Sequence, residues 1–462
     1  MRTQLAALLP LLWASYASAA FKVPKNIRGV NLGSWLLIEP WMIPEEWQKI
    51  GGENSCDCKV CIGSEFNFAK AYPDTVDQRM ATHWETWFTQ SDVDTLVKAG
   101  INSVRIPLGY WLVEDLVDRK TEFYARGGLK HLKRGLRQLK AAGVGVLLDH
   151  HALPGVASPN QMFAGKCTTD VQFYTPYNYR RALVWTAVMT ALSHLDKDFE
   201  NVWGIQAINE PIMDATLTPG YGDFQKNFVL VTRAVELGLG IRVKGVQGKQ
   251  ANVKATLGAS MKTAASSDEF NEEVSSAISA ALPILDNLGF STDSGAASFK
   301  QAKKEPLHMT FMDVSWQYNN PANPADAAIG PQIYDNHLYY SYGGVADANE
   351  EAYLKHICNL DRLEASGALR NSPLFFGEWS LATQFEATDE FLFKWADAQK
   401  LKYSEGAGWF FWNFKLGKNS GNNRQWSYFD ILDKGFFKWN PTAYNDPNVC
   451  APYVVNTTET SS

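Results

Sequence analysis

Short apolar and β-branched runs alternate along most of the chain with longer amphipathic stretches. The short runs fall at 27–32, 101–107, 144–149, 202–208, 309–313, 332–337, 373–377 and 408–412. Continuous apolar character without in–out alternation predicts strands buried on both faces, as in a parallel sheet. Helical periodicity occupies 83–99, 127–142, 178–195, 224–239, 350–366 and 389–404. Lys98-Ala99-Gly100 and Ala141-Ala142-Gly143 close two of these helices on glycine, which accepts the left-handed closing conformation. Eight strands alternating with helices predict one α/β domain, a (β/α)8 TIM barrel.

Two stretches interrupt the alternation. Residues 45–72 hold Cys56, Cys58 and Cys61 and predict a stapled, cysteine-rich N-terminal loop near the barrel mouth. Residues 241–304, between the fourth helix and the fifth strand, are rich in Ala, Ser, Lys and Gly and lack Trp and Tyr. They read as a long insertion, helical over 268–288 and mobile in composition elsewhere. No internal repeat or interdomain linker is evident, so residues 20–450 are expected to form the single functional domain.

The termini and cysteines suggest an address. Arg2, the apolar run 5–16 and Ala17-Ser18-Ala19 have the order of a secretory signal peptide over residues 1–19, too short to span a bilayer. The tail, 451–462, is polar, carries no lipid-anchor signal, and holds a glycosylation sequon at Asn456-Thr457-Thr458. Six cysteines in an exported chain predict disulfides, and sequence alone leaves their pairing open. The cysteine cluster has no histidine at ligand spacing, so no metal is expected. A formal charge of −6 gives no basic face for nucleic acid. The 16 Trp and 18 Tyr supply flat apolar faces with polar edges, suited to sugar rings once the core has taken its share.

In a barrel of this kind the C-terminal strand ends share one bowl. Just past the fourth strand lies Asn209-Glu210-Pro211, and at the end of the seventh lies Gly377-Glu378-Trp379. Carboxylates ending apolar runs are costly unless they serve a purpose. Two of them on facing strands are the equipment for glycosidic cleavage with retention, one protonated and one ionised. There is no Gly-x-Ser-x-Gly elbow, which argues against a serine hydrolase.

The motifs Arg28-Gly29-Val30-Asn31-Leu32-Gly33-Ser34-Trp35, Ser103-Val104-Arg105-Ile106-Pro107, Leu148-Asp149-His150-His151-Ala152-Leu153-Pro154-Gly155, Asn209-Glu210-Pro211, His337-Leu338-Tyr339, Gly377-Glu378-Trp379 and Trp409-Phe410-Phe411-Trp412 occur in one order along the chain. In that order they resemble glycoside hydrolase family 5, and within it the fungal exo-β-1,3-glucanases, from Arg28 to about Trp439. The resemblance implies Glu210 as general acid/base and Glu378 as nucleophile. It implies that Asn209 holds the sugar 2-hydroxyl, that Arg105 and Tyr339 orient Glu378, and that His151, rather than His150, lines the sugar site with His337. Trp412 would be the floor under the ring. Glu39, in Trp35-Leu36-Leu37-Ile38-Glu39-Pro40-Trp41, would grip a terminal glucose, with Asn160 as a further pocket residue.

The implied activity is a secreted retaining β-glucan hydrolase, foremost a glucan exo-1,3-β-glucosidase acting on fungal cell wall. It needs no cofactor and is expected to be monomeric, extracellular and without a membrane anchor. Two departures bear on the substrate. The chain reads His151-Ala152-Leu153-Pro154-Gly155 where those enzymes carry His-Gly-Ala-Pro-Gly, and Trp412-Asn413-Phe414-Lys415 where they carry Trp-x-Trp-Lys. Both lie at the bowl and leave open an endo-β-1,6-glucanase, another β-glucosidase of the same family, or a glucan-binding barrel that no longer hydrolyses.

Overall fold

All eight predicted strands form and close on themselves in sequence order, each parallel to its neighbours. In the computed structural model, which describes residues 23–248, 255–295 and 305–455, they are β1 (Ile27–Asn31), β2 (Ser103–Gly109), β3 (Gly145–Ala152), β4 (Val202–Gln206), β5 (His308–Met312), β6 (Gln332–His337), β7 (Leu374–Glu378) and β8 (Gly408–Phe411). The expected leader over 1–19, the sequon at Asn456 and residues 249–254 and 296–304 of the insertion lie outside the described residues. The strands are buried almost throughout, as continuous apolar runs require when helices cover the sheet.

Two expected helices are each divided. The stretch 83–99 belongs to Val76–Trp87 and Gln90–Lys98. Thr89 breaks the run: its backbone is extended, and it forms a capping box with Asp92 for the second helix. The stretch 350–366 divides into Glu350–Cys358 and Arg362–Ala368. Apolar periodicity carried across both breaks, so the pattern alone joined the pieces.

The insertion is more ordered than its composition suggests. It contributes helices Leu257–Ala265 and Glu272–Asn287, which bury Met261, Val274, Ile278 and Leu285. They pack on the barrel helices Pro176–Leu195 and Tyr221–Gly238. Helix Pro176–Leu195 is buried on every face from Arg181 to Leu195. A helix buried all round needs cover on its outer side, and the insertion supplies it.

The cysteines pair as Cys56–Cys61, Cys58–Cys167 and Cys358–Cys450. The second ties the cysteine-rich loop to the long loop after β3. The third ties helix Glu350–Cys358 to the C-terminal segment. Among the described residues, no helix is long and apolar enough to cross a membrane.

Candidate active site

Polar side chains fill the C-terminal end of the barrel, beneath an open cleft. At their centre is Arg105 on β2, which is fully buried. Its guanidinium donates from Nε to Gln206 at 2.8 Å, from Nη1 to Asn31 at 3.0 Å and Glu378 at 2.8 Å, and from Nη2 to Asn209 at 2.8 Å. Asp149 Oδ2 lies 3.0 Å from Nη2 and completes the charge balance. A planar five-donor fork suits this many fixed acceptors, which an ammonium could not match.

Two histidines use one device on separate strands. Residues two apart on a strand share a face, so Asp149 stands beside His151 on β3 and Asp335 beside His337 on β6. The contacts are 2.6 Å to His151 Nδ1 and 3.1 Å to His337 Nε2. In each case the carboxylate fixes the ring and leaves the other nitrogen for the cleft. His151 Nε2 is buried and has no protein partner among the described residues. His150 points the opposite way and stacks on Trp185 at 3.9 Å. The position of Asp335 requires Gly377: Asp335 Oδ1 accepts from the Gly377 amide at 2.7 Å, and a Cβ there would stand 2.1 Å from that oxygen.

Glu378 ends β7, where a register shift between Asn336 and His337 sets it opposite His337. Its oxygens receive Arg105 at 2.8 Å and the Tyr339 hydroxyl at 2.9 Å. Glu210 lies past β4 with φ of 38°, a left-handed backbone uncommon outside glycine and characteristic of functional positions. Three contacts hold this turn. Ser158 donates to the Glu210 carbonyl at 2.8 Å, Trp316 Nε1 to the Pro211 carbonyl at 2.7 Å, and the Ile212 amide to the Tyr174 hydroxyl at 3.0 Å. His337 Nδ1 meets Glu210 Oε1 at 2.6 Å. One oxygen of Glu210, one oxygen of Glu378 and a ring nitrogen of His337 all lie within 4.8 Å of one another.

The charges are coupled. Burial opposes a charge on His337, but Glu378, Asp335 and Glu210 outweigh it and push the imidazole up to about 10. Burial lifts Glu378 above the ordinary carboxylate range against the pull of His337 and Arg105, and the Glu210 charge adds to the rise. Burial acts the same way on Glu210, but the hydrogen bond and charge of His337 overcome it and hold that carboxyl low. His337 therefore carries a proton and makes a short hydrogen bond to Glu210. The hydrogen bonds from Arg105 and Tyr339 to the two oxygens of Glu378 oppose that rise without cancelling it.

The cleft has a volume of about 850 Å³. Glu39, His151, Asn160, Asn209, Glu210, His337, Tyr339, Glu378 and Trp412 all line it, and Arg105 lies beneath. All ten residues expected from the sequence are therefore brought to one place. Trp412 lies roughly parallel to His151, 5.8 Å between ring centres. Glu39 accepts from the Trp41 indole at 2.9 Å, and burial raises its carboxyl to about 7 against the opposing pull of His151 and Trp41.

Sequence reasoning missed the support beneath, Asn31, Asp149, Gln206 and Asp335, and the aromatic rim of Trp41, Trp316, Tyr342 and Trp426. Two-residue alternation from His151 and His337 points to Asp149 and Asp335. The segment just past β5, like those past β4 and β7, brings a side chain to the cleft, and that position in the sequence points to Trp316.

A closed parallel barrel with two carboxyls converging on one sugar-sized cleft is the architecture of a glycoside hydrolase. Residues 70–417 match the model for Cellulase (glycosyl hydrolase family 5), and the chain belongs to that family. It is 29% identical over 424 residues to glucan endo-1,6-beta-glucosidase B of Emericella nidulans, covering 89% of this chain and 85% of that protein. It is 32% identical over 203 residues to a probable glucan 1,3-beta-glucosidase A of Aspergillus niger, covering 42% and 44% of the two chains. The structure of a rutinosidase from Aspergillus niger shares the fold, with a TM-score of 0.58 at 18% identity over 89% of this chain and 98% of that one.

Proposed function

We propose that the protein is a retaining glucanase that cleaves internal β-1,6 linkages of a fungal-wall β-glucan outside the cell. The observation that carries the mechanism is the spacing of Glu210 and Glu378, with one oxygen of each within 4.8 Å. Retaining enzymes hold their carboxyls about 5 Å apart, whereas inverting ones leave room for a water between them. Linkage and mode rest on the relatives. The protein named for endo-1,6 action aligns over 89% of the chain, and the one named for 1,3 action over 42%. The exo-β-1,3 expectation therefore has the weaker support. Three disulfides and the fungal relatives favour an exported enzyme.

In the first step Glu378 attacks the anomeric carbon while the leaving oxygen takes the proton held between His337 and Glu210. The bond to the leaving sugar breaks, and a glycosyl ester forms on Glu378. In the second step Glu210 removes a proton from water, which attacks the same carbon and restores the Glu378 carboxylate. Asn209 and His151 hold the ring hydroxyls, Trp412 packs beneath the ring, and Tyr339 and Arg105 keep Glu378 aimed. The decisive test is digestion of pustulan, laminarin and carboxymethyl cellulose side by side. A ladder of oligosaccharides from pustulan is expected. Glucose alone from laminarin, with pustulan intact, would return the reading to an exo-β-1,3-glucosidase.

A further inference from the structure

Arg105, Gln206 and Asp335 come from β2, β4 and β6, alternate strands whose inward side chains meet in one layer of a barrel. All three are fully buried. Gln206 takes no part in the steps proposed above, yet it joins the supports of the two carboxyls. Its Oε1 accepts from Arg105 Nε at 2.8 Å, and its Nε2 donates to Asp335 Oδ2 at 2.9 Å. These partners fix the orientation of the amide, because a guanidinium offers only donors and an ionised carboxylate only acceptors. The remaining contacts of Nε2 are long, 3.5 Å to the Ile208 carbonyl and 4.0 Å to the Met312 sulfur.

The amide completes a chain of contacts that runs beneath the cleft from one carboxyl to the other. Glu210 Oε1 meets His337 Nδ1 at 2.6 Å, and His337 Nε2 meets Asp335 Oδ2 at 3.1 Å. Gln206 then joins Asp335 to Arg105, whose Nη1 donates to Glu378 at 2.8 Å. Every link but Gln206 is ionisable. Arg105 Nε and Asp335 Oδ2 are 4.0 Å apart, beyond hydrogen-bond reach. Opposite charges this close attract strongly once buried. Without the amide they would close on each other. Arg105 would then give up part of its hold on Glu378, and Asp335 part of its hold on His337. The other charged groups near this chain are Glu39 past β1 and Asp149 and His151 on β3. Among the contacts of Gln206, only Arg105 and Asp335 carry charge.

We infer that Gln206 is a positioning residue: it holds Arg105 and Asp335 apart, so that the first serves Glu378 and the second serves His337. The inference rests on the roles given to Glu210 and Glu378 in the proposed function and deepens them, because it accounts for how two carboxyls in one cleft keep separate supports. The residue has to be neutral and has to carry both a donor and an acceptor. A carboxylate in its place would still accept from Arg105 but would meet Asp335 with a like charge. An apolar side chain would serve neither.

Two substitutions separate this role from one in packing alone. Gln206→Met keeps the volume and removes both hydrogen bonds. Arg105 then turns toward Asp335, so His337 loses support for its proton and Glu378 loses support for its charge. The His337 imidazole, held up at about 10 in the parent, is expected to titrate about one pH unit lower by NMR of histidine-labelled protein. The pH profile of kcat/KM on pustulan should narrow from both sides. Its acid limb rises with Glu378 and its basic limb falls with His337. At the optimum kcat should drop about ten- to hundredfold, with KM little changed. Gln206→Glu keeps the acceptor for Arg105 and adds a negative charge, so there His337 should titrate higher than in the parent. Should Gln206→Met fail to fold, the upward shift in Gln206→Glu still decides. His337 titrating as in the parent in the folded variants overturns the inference, whatever happens to kcat. The titration needs no substrate, so a parent enzyme inactive on pustulan, laminarin and carboxymethyl cellulose would overturn the hydrolase reading and leave this test intact.

Discussion

His337 Nδ1 stands 2.6 Å from Glu210 and 3.6 Å from Glu378, so a single imidazole bridges the two carboxyls on which the chemistry is proposed to depend. Its other nitrogen is held by Asp335. The roles of the carboxyls are separable by chemical rescue. Glu210→Ala should lose about 10²–10⁴ in kcat on natural substrate, and with an activated aryl β-glycoside, whose leaving group needs no proton, azide should restore turnover with a β-glycosyl azide product. Glu378→Ala should be inactive, with azide giving the α-azide. The opposite stereochemical pairing, read by NMR of the product, would exchange the assignments.

Arg105 should not tolerate substitution by lysine. Its fork satisfies five acceptors from four strands or their ends, and Arg105→Lys leaves several of them buried and unpaired. Breaking a buried ionic cluster from one side costs about 3–5 kcal/mol. Denaturant unfolding should show a loss on that scale, together with a fall in kcat. Wild-type stability in Arg105→Lys would refute the central role of this side chain.

Glu65 gives a pH signature away from the chemistry. Its carboxyl is 3% exposed, accepts from the Ile38 amide at 2.6 Å, and is raised by burial to about 8. The folded state thus favours the neutral acid. That contribution is full below the ordinary carboxyl value of 4.5 and is lost as pH rises through about 8. The loss is on the order of 5 kcal/mol. Glu65→Gln keeps the acceptor without the charge, so it should match the parent at pH 4 and exceed it in Tm at pH 8.5. Equal pH dependence in the two proteins would count against the buried neutral acid.

The Cys58–Cys167 bond closes a long loop, with partners 109 residues apart in sequence. Replacing both cysteines by Ala should cost roughly 2–5 kcal/mol of stability. It should also raise KM, because the loop it anchors carries the cleft residues Asn160, Met162 and Phe163. The Cys56–Cys61 bond spans five positions and should matter less. Thermal unfolding and steady-state kinetics of the two double variants will rank them.

The barrel was legible because eight continuous apolar runs alternate with amphipathic helical stretches, a pattern few other folds produce. The breaks at Thr89 and after Cys358 were not, since apolar periodicity continues across them. The insertion was misjudged in part because Ala-rich composition reads as mobility, whereas small residues pack tightly against a helix that lacks a polar face. The upward-facing site residues were legible from strand ends and motifs. Asn31 and Gln206 were not, since a polar residue inside an apolar run carries no sign of what it faces. Disulfide pairing depends on loops meeting in space, and nothing local encodes it.

Arg105 is held by groups on the strands and their immediate ends, while the rim that meets the sugar is built from loops. Changes to those loops can therefore accumulate without disturbing the charge balance underneath. A scaffold divided in this way lets the periphery be reshaped for a different polysaccharide while the buried support stays as it is.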